Sequence, residues 1–193
     1  MKERKEKLGD RAKVSATVLK AHLSWAEERW GQLAPRLQSL LEGETLALMS
    51  RPLAPTDRIL FRDLVRIARA IAKADGGDAD TVFYELGRQS ARLNLDGAYK
   101  AFAPETPHRF FEQMGFLHRT FQSFGRSTYE KVGPQSGRIR LEDYAEYSPV
   151  FCISGRGYYE ETLRMMGAPG PISVTETTCQ CAGDPSCTFE LGW

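Results

Sequence analysis

The chain has 193 residues, the length of one domain, and its 26 Lys and Arg nearly balance its 25 Asp and Glu, giving a formal net charge of +1. This balance disfavours a dedicated nucleic-acid binder, which usually carries a clear basic excess. No apolar run is as long as a transmembrane helix, and the charged N-terminus lacks the apolar stretch of a secretory signal. The sequence therefore predicts a cytoplasmic protein that contacts neither nucleic acid nor membrane.

The N-terminal part of the chain is predicted to be helical. Residues 1–13 are mostly charged and predict a disordered arm, whereas residues 14–193 predict a single domain. Apolar residues then recur at spacings of three and four, which is typical of amphipathic helices. The predicted helices cover residues 19–33, 36–49, 57–76, 80–93 and 107–124.

The C-terminal third changes character. The segments 138–147, 171–178 and 187–193 predict strands, and the segment from Gly157 to Met166 predicts a helix between them. The fold class that follows is α+β, with a helical N-terminal part packed on a small antiparallel sheet and one crossing helix.

The cysteines carry the clearest chemical signal. Cys179, Cys181 and Cys187 fall within nine residues, and Cys152 lies alone upstream. In a chain with no secretory signal, such a cluster points to metal or redox chemistry more than to disulfides. Zinc needs four ligands, so Cys152 and either Cys181 or Glu176 would complete a site. Spacing alone favours the four cysteines as the zinc ligands. The alternative is that the cysteines bind no metal and are small, buried residues of the core.

Motifs of common enzymes are missing from the sequence. It contains no P-loop, no H-E-x-x-H, no G-x-S-x-G and no EF-hand loop. A closed site with four protein ligands leaves no open position for water, so a zinc ion here would stabilise the fold and would not catalyse. The sequence therefore predicts a protein that is not an enzyme.

The C-terminal motif resembles the end of the 4-vinyl reductase domain, a small-molecule-binding domain. The matching residues are Glu176-x-x-Cys179, then Cys187, with Gly-Asp-Pro between the two cysteines, and Cys152 followed by Gly157-Tyr158 upstream. In the zinc-containing phenol sensors of that family, three Cys and one Glu hold the ion. The resemblance thus implies a structural Zn²⁺ on Cys152, Glu176, Cys179 and Cys187, and it leaves Cys181 spare.

A second match concerns the ligand. The segment Gly115-Phe-Leu-His118 is similar to the Gly-x-Leu-His segment of the phenol sensors, whose His bonds the phenol hydroxyl. Their Trp partner corresponds most closely to Tyr144, and the helix before His118 supplies apolar residues suited to a pocket wall. The resemblance therefore implies a small apolar or aromatic ligand near His118, Tyr144, Phe111 and Met114.

The heme-based nitric-oxide and oxygen domains belong to the same fold group and place their heme-ligating His in a similar helix. They also need a Tyr-x-Ser-x-Arg motif, which the stretch from Tyr144 to Ser148 does not reproduce, so heme is disfavoured. Over its whole length the chain also resembles an uncharacterised bacterial family of similar size.

The function predicted from these resemblances is a non-enzymatic sensory domain, commonly a homodimer, whose ligand state a partner protein of unknown identity reads. Two alternatives stay open. One is a dimeric interaction or adaptor module built on the first helix, which carries Trp25 and Trp30. The other is a heme or redox sensor.

Overall fold

The computed structural model describes residues 4–96 and 106–193, so residues 1–3 of the predicted arm lie outside the described residues. It has the predicted α+β architecture: helices come first, and a small antiparallel sheet with its own helices follows. None of the helices in these two ranges combines the length and the apolar character that crossing a bilayer requires.

The helical half consists of helices α1 to α5. They are α1 (Ala16–Trp30), α2 (Ala34–Gln38), α3 (Gly43–Ser50), α4 (Phe61–Asp75) and α5 (Ala79–Asp96). The Ser15 side chain caps α1 by accepting a hydrogen bond from the Thr17 N–H, and Gly76 ends α4 in the left-handed region at φ 77°. The single helix predicted over 36–49 is two helices, because Gly43 turns the chain at φ 54°.

A two-stranded antiparallel ribbon precedes two of these helices. Strand β1 (Lys13–Ser15) leads into α1, and β2 (Arg58–Leu60) leads into α4, with Val14 opposite Ile59. The sequence does not predict either strand, since three residues are too few to show a period. The ribbon fixes the starts of two helices against each other.

The C-terminal sheet has four antiparallel strands in the order β3-β4-β6-β5. Their bounds are β3 (Arg126–Gly133), β4 (Ser136–Glu142), β5 (Ser173–Thr178) and β6 (Cys187–Gly192). The last two predicted strands are confirmed, and the strand predicted over 138–147 ends at Glu142. Strand β3 was not predicted, since its edge position leaves most of its residues exposed and without apolar alternation.

Three further helices pack with the sheet: α6 (Pro107–Phe111), α7 (Met114–Phe121) and α8 (Pro149–Met165). The predicted helix over 107–124 is thus interrupted. Helix α8 begins at Pro149 and not at Gly157, because Ser148 accepts a hydrogen bond from the Val150 N–H and so caps the helix.

Two apolar cores lie side by side. One belongs to the helical half and the other to the sheet half, and the partly buried rings of Phe124 and Phe151 pack against both. The fully buried large side chains of the helical core include Leu19, Phe61, Ile67, Ile71 and Leu86, and those of the sheet core include Phe111, Ile139, Leu163 and Phe189. The boundary between the cores runs along α8, which contributes residues to each.

Helices α5 and α8 cross closely because each places a glycine at the contact. A Cβ on Gly87 would lie 1.8 Å from the Ser154 carbonyl oxygen, and one on Gly157 would lie 2.1 Å from the Tyr84 carbonyl oxygen. Any larger residue at either position would force the helices apart.

The N-terminal segment, residues 4–12, has specific partners where the composition predicts a disordered arm. The buried carboxylate of Glu146 accepts hydrogen bonds from the Gly9 N–H at 2.8 Å and from the N–H groups of two following residues. The Lys5 N–H donates to the Cys181 carbonyl at 2.7 Å. Backbone bonding of this kind does not depend on the side chains of the segment, and so its composition does not reveal it.

Candidate metal centre and ligand cavity

The four cysteines come together between α8 and the β5–β6 connection. The Sγ of Cys152, on α8, lies 3.7 Å from that of Cys179, 3.9 Å from that of Cys181 and 3.8 Å from that of Cys187. All four thiols are free and buried. The structure therefore brings Cys152 next to the three C-terminal cysteines.

These separations match the distances between ligand atoms around a tetrahedral zinc ion. Around a zinc ion with Zn–S bonds of about 2.3 Å, the edge of the tetrahedron is about 3.8 Å. In an extended strand, Cys179 and Cys181 would lie too far apart to share an ion. The 3-10 helix Gln180–Ala182 bends the backbone at this point, which brings Cys181 to Cys152 as well.

Glu176 supplies a fifth donor group. One of its carboxylate oxygens lies with the sulfurs of Cys152, Cys179 and Cys187 in a set whose ligand atoms are all within 4.8 Å of one another. Its Oε2 accepts a hydrogen bond from Arg4 at 2.8 Å, whereas its buried Oε1 has no hydrogen-bond partner among the described residues. Burial raises the pKa of this carboxyl to about 7, although Arg4 acts in the opposite direction.

The thiols perturb one another strongly. Hydrogen bonds with Cys179, Cys181 and Cys187 raise the pKa of Cys152 well above its usual value. The pKa of Cys179 is lowered, first by the hydrogen bond from Cys152 and then by those from the other two sulfurs. Without a cation, sulfurs packed this closely carry at most one negative charge between them. A divalent ion would favour several thiolates at the same time.

His118 projects from α7 into the centre of the molecule. Its Nε2 lies 2.7 Å from the Tyr144 hydroxyl, which itself donates to the Gln122 Oε1 at 2.9 Å. Nε2 therefore carries the proton of this bond, and Nδ1 is left as an acceptor. Burial lowers the pKa of His118 to about 4, so the ring is neutral at pH 7.

Tyr144 reaches His118 because Gly125 leaves room for it. Gly125 has φ 65°, and a Cβ there would come within 2.4 Å of the tyrosine ring. A side chain at this position would meet both backbone strain and a steric clash.

A cavity of about 110 Å³ lies between the helical half and the sheet half. Its walls come mainly from α1, α4, α5, α7 and α8 and are largely apolar, including Phe61, Leu117 and Tyr159. Ligand pockets in proteins have this character, with a few polar groups in an apolar wall.

The predicted ligand residues take different places around this cavity. His118 and Met114 line it, and Tyr144 is linked to it through the hydrogen bond to His118. Phe111 is not among the lining residues; it is fully buried in the sheet core and stacks on Tyr129 with ring centres 5.5 Å apart.

Two polar residues of the wall were not singled out from the sequence. His22 on α1 and Ser127 on β3 both line the cavity and are nearly fully buried, and the His22 Nδ1 and Ser127 Oγ have no hydrogen-bond partner among the described residues. The spacing of three between Leu19 and His22 places the histidine on the buried face of α1, which was the available signal. Nothing in the sequence indicates the role of Ser127, because strand β3 itself was not predicted.

No family model and no curated protein matches this sequence. Solved structures of H-NOX domains do match it. An H-NOX protein from S. oneidensis in the Fe(II)NO state aligns with a TM-score of 0.72 at 11% identity, covering 92% of this chain and 97% of that one. Unliganded Fe(II) H-NOX from K. algicida gives 0.69 at 10% identity, covering 92% and 95%. An oxygen-binding H-NOX domain related to soluble guanylate cyclases gives 0.66 at 15% identity, covering 92% of each chain.

The chain therefore has an H-NOX-like fold over nearly its whole length. Identities of this size show the fold alone. The resemblance to the 4-vinyl reductase domain has no matching family model behind it, so the ligand and metal that it implies stay predictions.

The cavity does not fit heme, which the fold group implies. A cavity of about 150 Å³ holds a benzene molecule, so the volume here, about 110 Å³, leaves room for at most one small ring and none for a porphyrin. Of the described residues that line it, none is Arg or Lys, which would pair with heme propionates. The Nε2 of His118 is also occupied by the Tyr144 hydroxyl.

Proposed function

We propose that this protein is a non-enzymatic binding domain that holds a structural Zn²⁺ on Cys152, Glu176, Cys179 and Cys187 and takes a small apolar or aromatic ligand in its cavity. The observation that carries the proposal is the convergence of these four donor atoms within 4.8 Å of one another. Three thiolates and one carboxylate are a ligand set that zinc accepts.

The partner of Glu176 supports it as the fourth ligand. Arg4 bonds its Oε2, which orients the carboxylate in the way that outer hydrogen bonds orient metal ligands. The buried Oε1 of Glu176 has no hydrogen-bond partner among the described residues, and a bound metal ion would supply one for this oxygen. Cys181 is the competing ligand, since its Sγ is 3.9 Å from that of Cys152.

Metal content tests the site. Untagged protein, dialysed and measured by mass spectrometry, should contain about one zinc per chain. Cys187→Ser should lose the metal, because it removes a ligand common to both candidate sets, whereas Cys181→Ser should keep it. Fewer than about 0.2 zinc per chain in the parent protein would refute the site.

The same experiment decides the fourth ligand. Glu176→Gln should lower zinc affinity by about tenfold or more, since the amide carries no charge for the ion. Should Glu176→Gln keep full zinc occupancy while Cys181→Ser loses it, the ligands would be four sulfurs and our assignment of Glu176 would be wrong.

The route from ligand to partner would run through α8. This helix carries Cys152 on one side, and it lines the cavity with Val150, Phe151 and Ser154. A ligand that shifts α8 would therefore move a residue of the metal centre, and a partner protein in contact with the C-terminal sheet could sense the shift.

Homodimer formation, the unknown partner protein and cytoplasmic location remain predictions from the sequence. The tryptophans of the alternative interaction module already have partners within the chain: the rings of Trp25 and Trp30 are 6.5 Å apart, and Arg29 and Arg36 lie over them. Light scattering of the purified protein would decide whether it is a dimer.

A further inference from the structure

The walls of the cavity hold two polar groups that the zinc site and the His118 pair do not use. The His22 side chain comes from α1 in the helical half, and the Ser127 side chain comes from β3 in the sheet half. Each residue is at most 5% exposed, and neither the His22 Nδ1 nor the Ser127 Oγ has a hydrogen-bond partner within the described ranges. Buried polar atoms in proteins are nearly always bonded, so both indicate a missing group in the cavity.

Three other polar side chains of the same wall have partners within the protein. The Ser90 hydroxyl donates to the Leu86 carbonyl at 2.9 Å, the Ser154 hydroxyl donates to the Phe151 carbonyl at 3.2 Å, and the Gln122 Oε1 accepts from Tyr144. Burial in this cavity thus does not by itself leave a side chain without a partner.

Both unpaired groups are neutral at pH 7. Burial lowers the pKa of His22 to about 4, and a serine hydroxyl does not titrate in this range. With no Arg or Lys among the described lining residues, an anionic ligand would find no countercharge. A hydroxyl both donates and accepts, so it can pair with an imidazole nitrogen in either tautomer and with a serine hydroxyl.

From this arrangement we infer that the cavity selects an uncharged single-ring compound with a hydrogen-bonding group at each of two ends. One end bonds the His22 Nδ1 and the other bonds the Ser127 Oγ, so the ligand links the helical half to the sheet half. The inference rests on the proposed ligand-binding function and adds the chemical class of the ligand to it.

Three probes of nearly equal shape test this inference. Hydroquinone, p-cresol and p-xylene carry two, one and no hydroxyl groups on the same ring, and binding is measured by calorimetry under nitrogen to prevent oxidation. We expect hydroquinone to bind tightest and each lost hydroxyl to weaken binding by about tenfold, because an unpaired buried polar group is left behind.

Variants assign the two ends. His22→Phe and Ser127→Ala should each remove the preference for hydroquinone over p-cresol, and both together should make p-xylene the best of the three. Ser90→Ala is the matched control: it removes a hydroxyl of the same wall that is already bonded to Leu86, and the order of the probes should not change. If a variant fails to fold, the probe series in the parent protein still decides.

The outcomes distinguish a failure of this inference about the chemical class of the ligand from a failure of the proposed ligand-binding function. Equal binding of all three probes, or an order that His22→Phe and Ser127→Ala leave unchanged, would overturn the inference while the ligand site stands. Binding of none would overturn both. A crystal structure in which ordered waters stay bonded to His22 and Ser127 beside bound hydroquinone would also overturn it.

Discussion

At the scale of single residues, burial sets the chemistry of the ionisable groups in this protein. His22 is 3% exposed and His118 is 5% exposed, and burial lowers the pKa of each to about 4. Glu161 shows the opposite balance: burial would raise its pKa, but hydrogen bonds from Arg92, Arg88 and Arg164 lower it below its usual value. The arginines thus stabilise the charge of Glu161, whereas burial keeps the two histidines neutral.

The low pKa of His22 predicts a dependence of stability on pH. The folded-state pKa, about 4, lies below the unfolded value of about 6.5, so the unfolded state binds more protons between these values. The contribution is complete above pH 6.5 and is lost as the pH falls towards 4. At pH 5, we expect this residue alone to lower the free energy of unfolding by about 2 kcal/mol relative to pH 7.

Denaturant unfolding of the parent protein and of His22→Asn at pH 7 and pH 5 measures this effect. Subtracting the two proteins cancels acid effects at the cysteine cluster, which both share. An equal loss of stability in both proteins between pH 7 and pH 5 would show that His22 does not titrate as described.

At the scale of elements, the α5–α8 contact decides whether the two halves fit together. Gly87 and Gly157 allow the backbones to approach, and Glu161 on α8 bonds Arg88 and Arg92 on α5 at 2.8 Å each. At the centre of the contact the two backbones pack directly against each other, and next to it the helices are joined by ion pairs. Both helices also line the cavity, so a change in their separation would change its shape.

Alanine at the contact glycines should destabilise the protein. Gly87→Ala or Gly157→Ala places a Cβ about 2 Å from a carbonyl oxygen, and we expect a loss of about 2–3 kcal/mol in the free energy of unfolding. Gly155→Ala, on the same helix, is the control, since its Cβ would meet nothing closer than 3.8 Å. This change should be neutral or stabilising by about 0.5–1 kcal/mol. Similar losses for Gly155→Ala and Gly157→Ala would contradict the close-contact explanation.

Periodicity predicted the helical half, because helices such as α4 repeat their apolar pattern over enough residues to be recognised. Strand β5 was predicted from its content of Ile, Val and Thr, and β6 from its position after the Gly-Asp-Pro turn. Strands β1 and β2 were missed because each is only three residues long. The start of α8 was missed because its glycines obscured the helical pattern. The cysteines of the candidate site could be named from spacing and resemblance. Cys181 lies about as close to Cys152 as the other two cysteines do, and this depends on a bend of the backbone that the spacing of the cysteines does not reveal.

At the scale of the whole molecule, the candidate metal centre connects distant parts of the chain. Its donors lie on α8 and around the β5–β6 connection, and the N-terminal segment covers it through Arg4 on Glu176 and Lys5 on the Cys181 carbonyl. A metal ion here would thus hold together the two ends and the helix that divides the cores.

Removing the metal should therefore loosen regions that are far apart in sequence. On chelation, we expect the melting temperature to fall by about 10 °C or more and hydrogen exchange to speed up in residues 4–12 and in α8. Residues 61–75 of α4, within the helical core, serve as the internal reference and should change least. Zinc added back should restore the protection. Unchanged exchange in residues 4–12 would show that the segment is held without the metal.

The pairing of the N-terminal segment has a consequence for protein synthesis. Arg4 and Lys5 are synthesised long before their partners, Glu176 and Cys181. A nascent chain therefore carries residues 4–12 without these contacts until Glu176 and Cys181 have been made. The segment can take its place only once strand β5 and the turn after it have emerged, so a chain that stalls before that point leaves residues 4–12 without these partners.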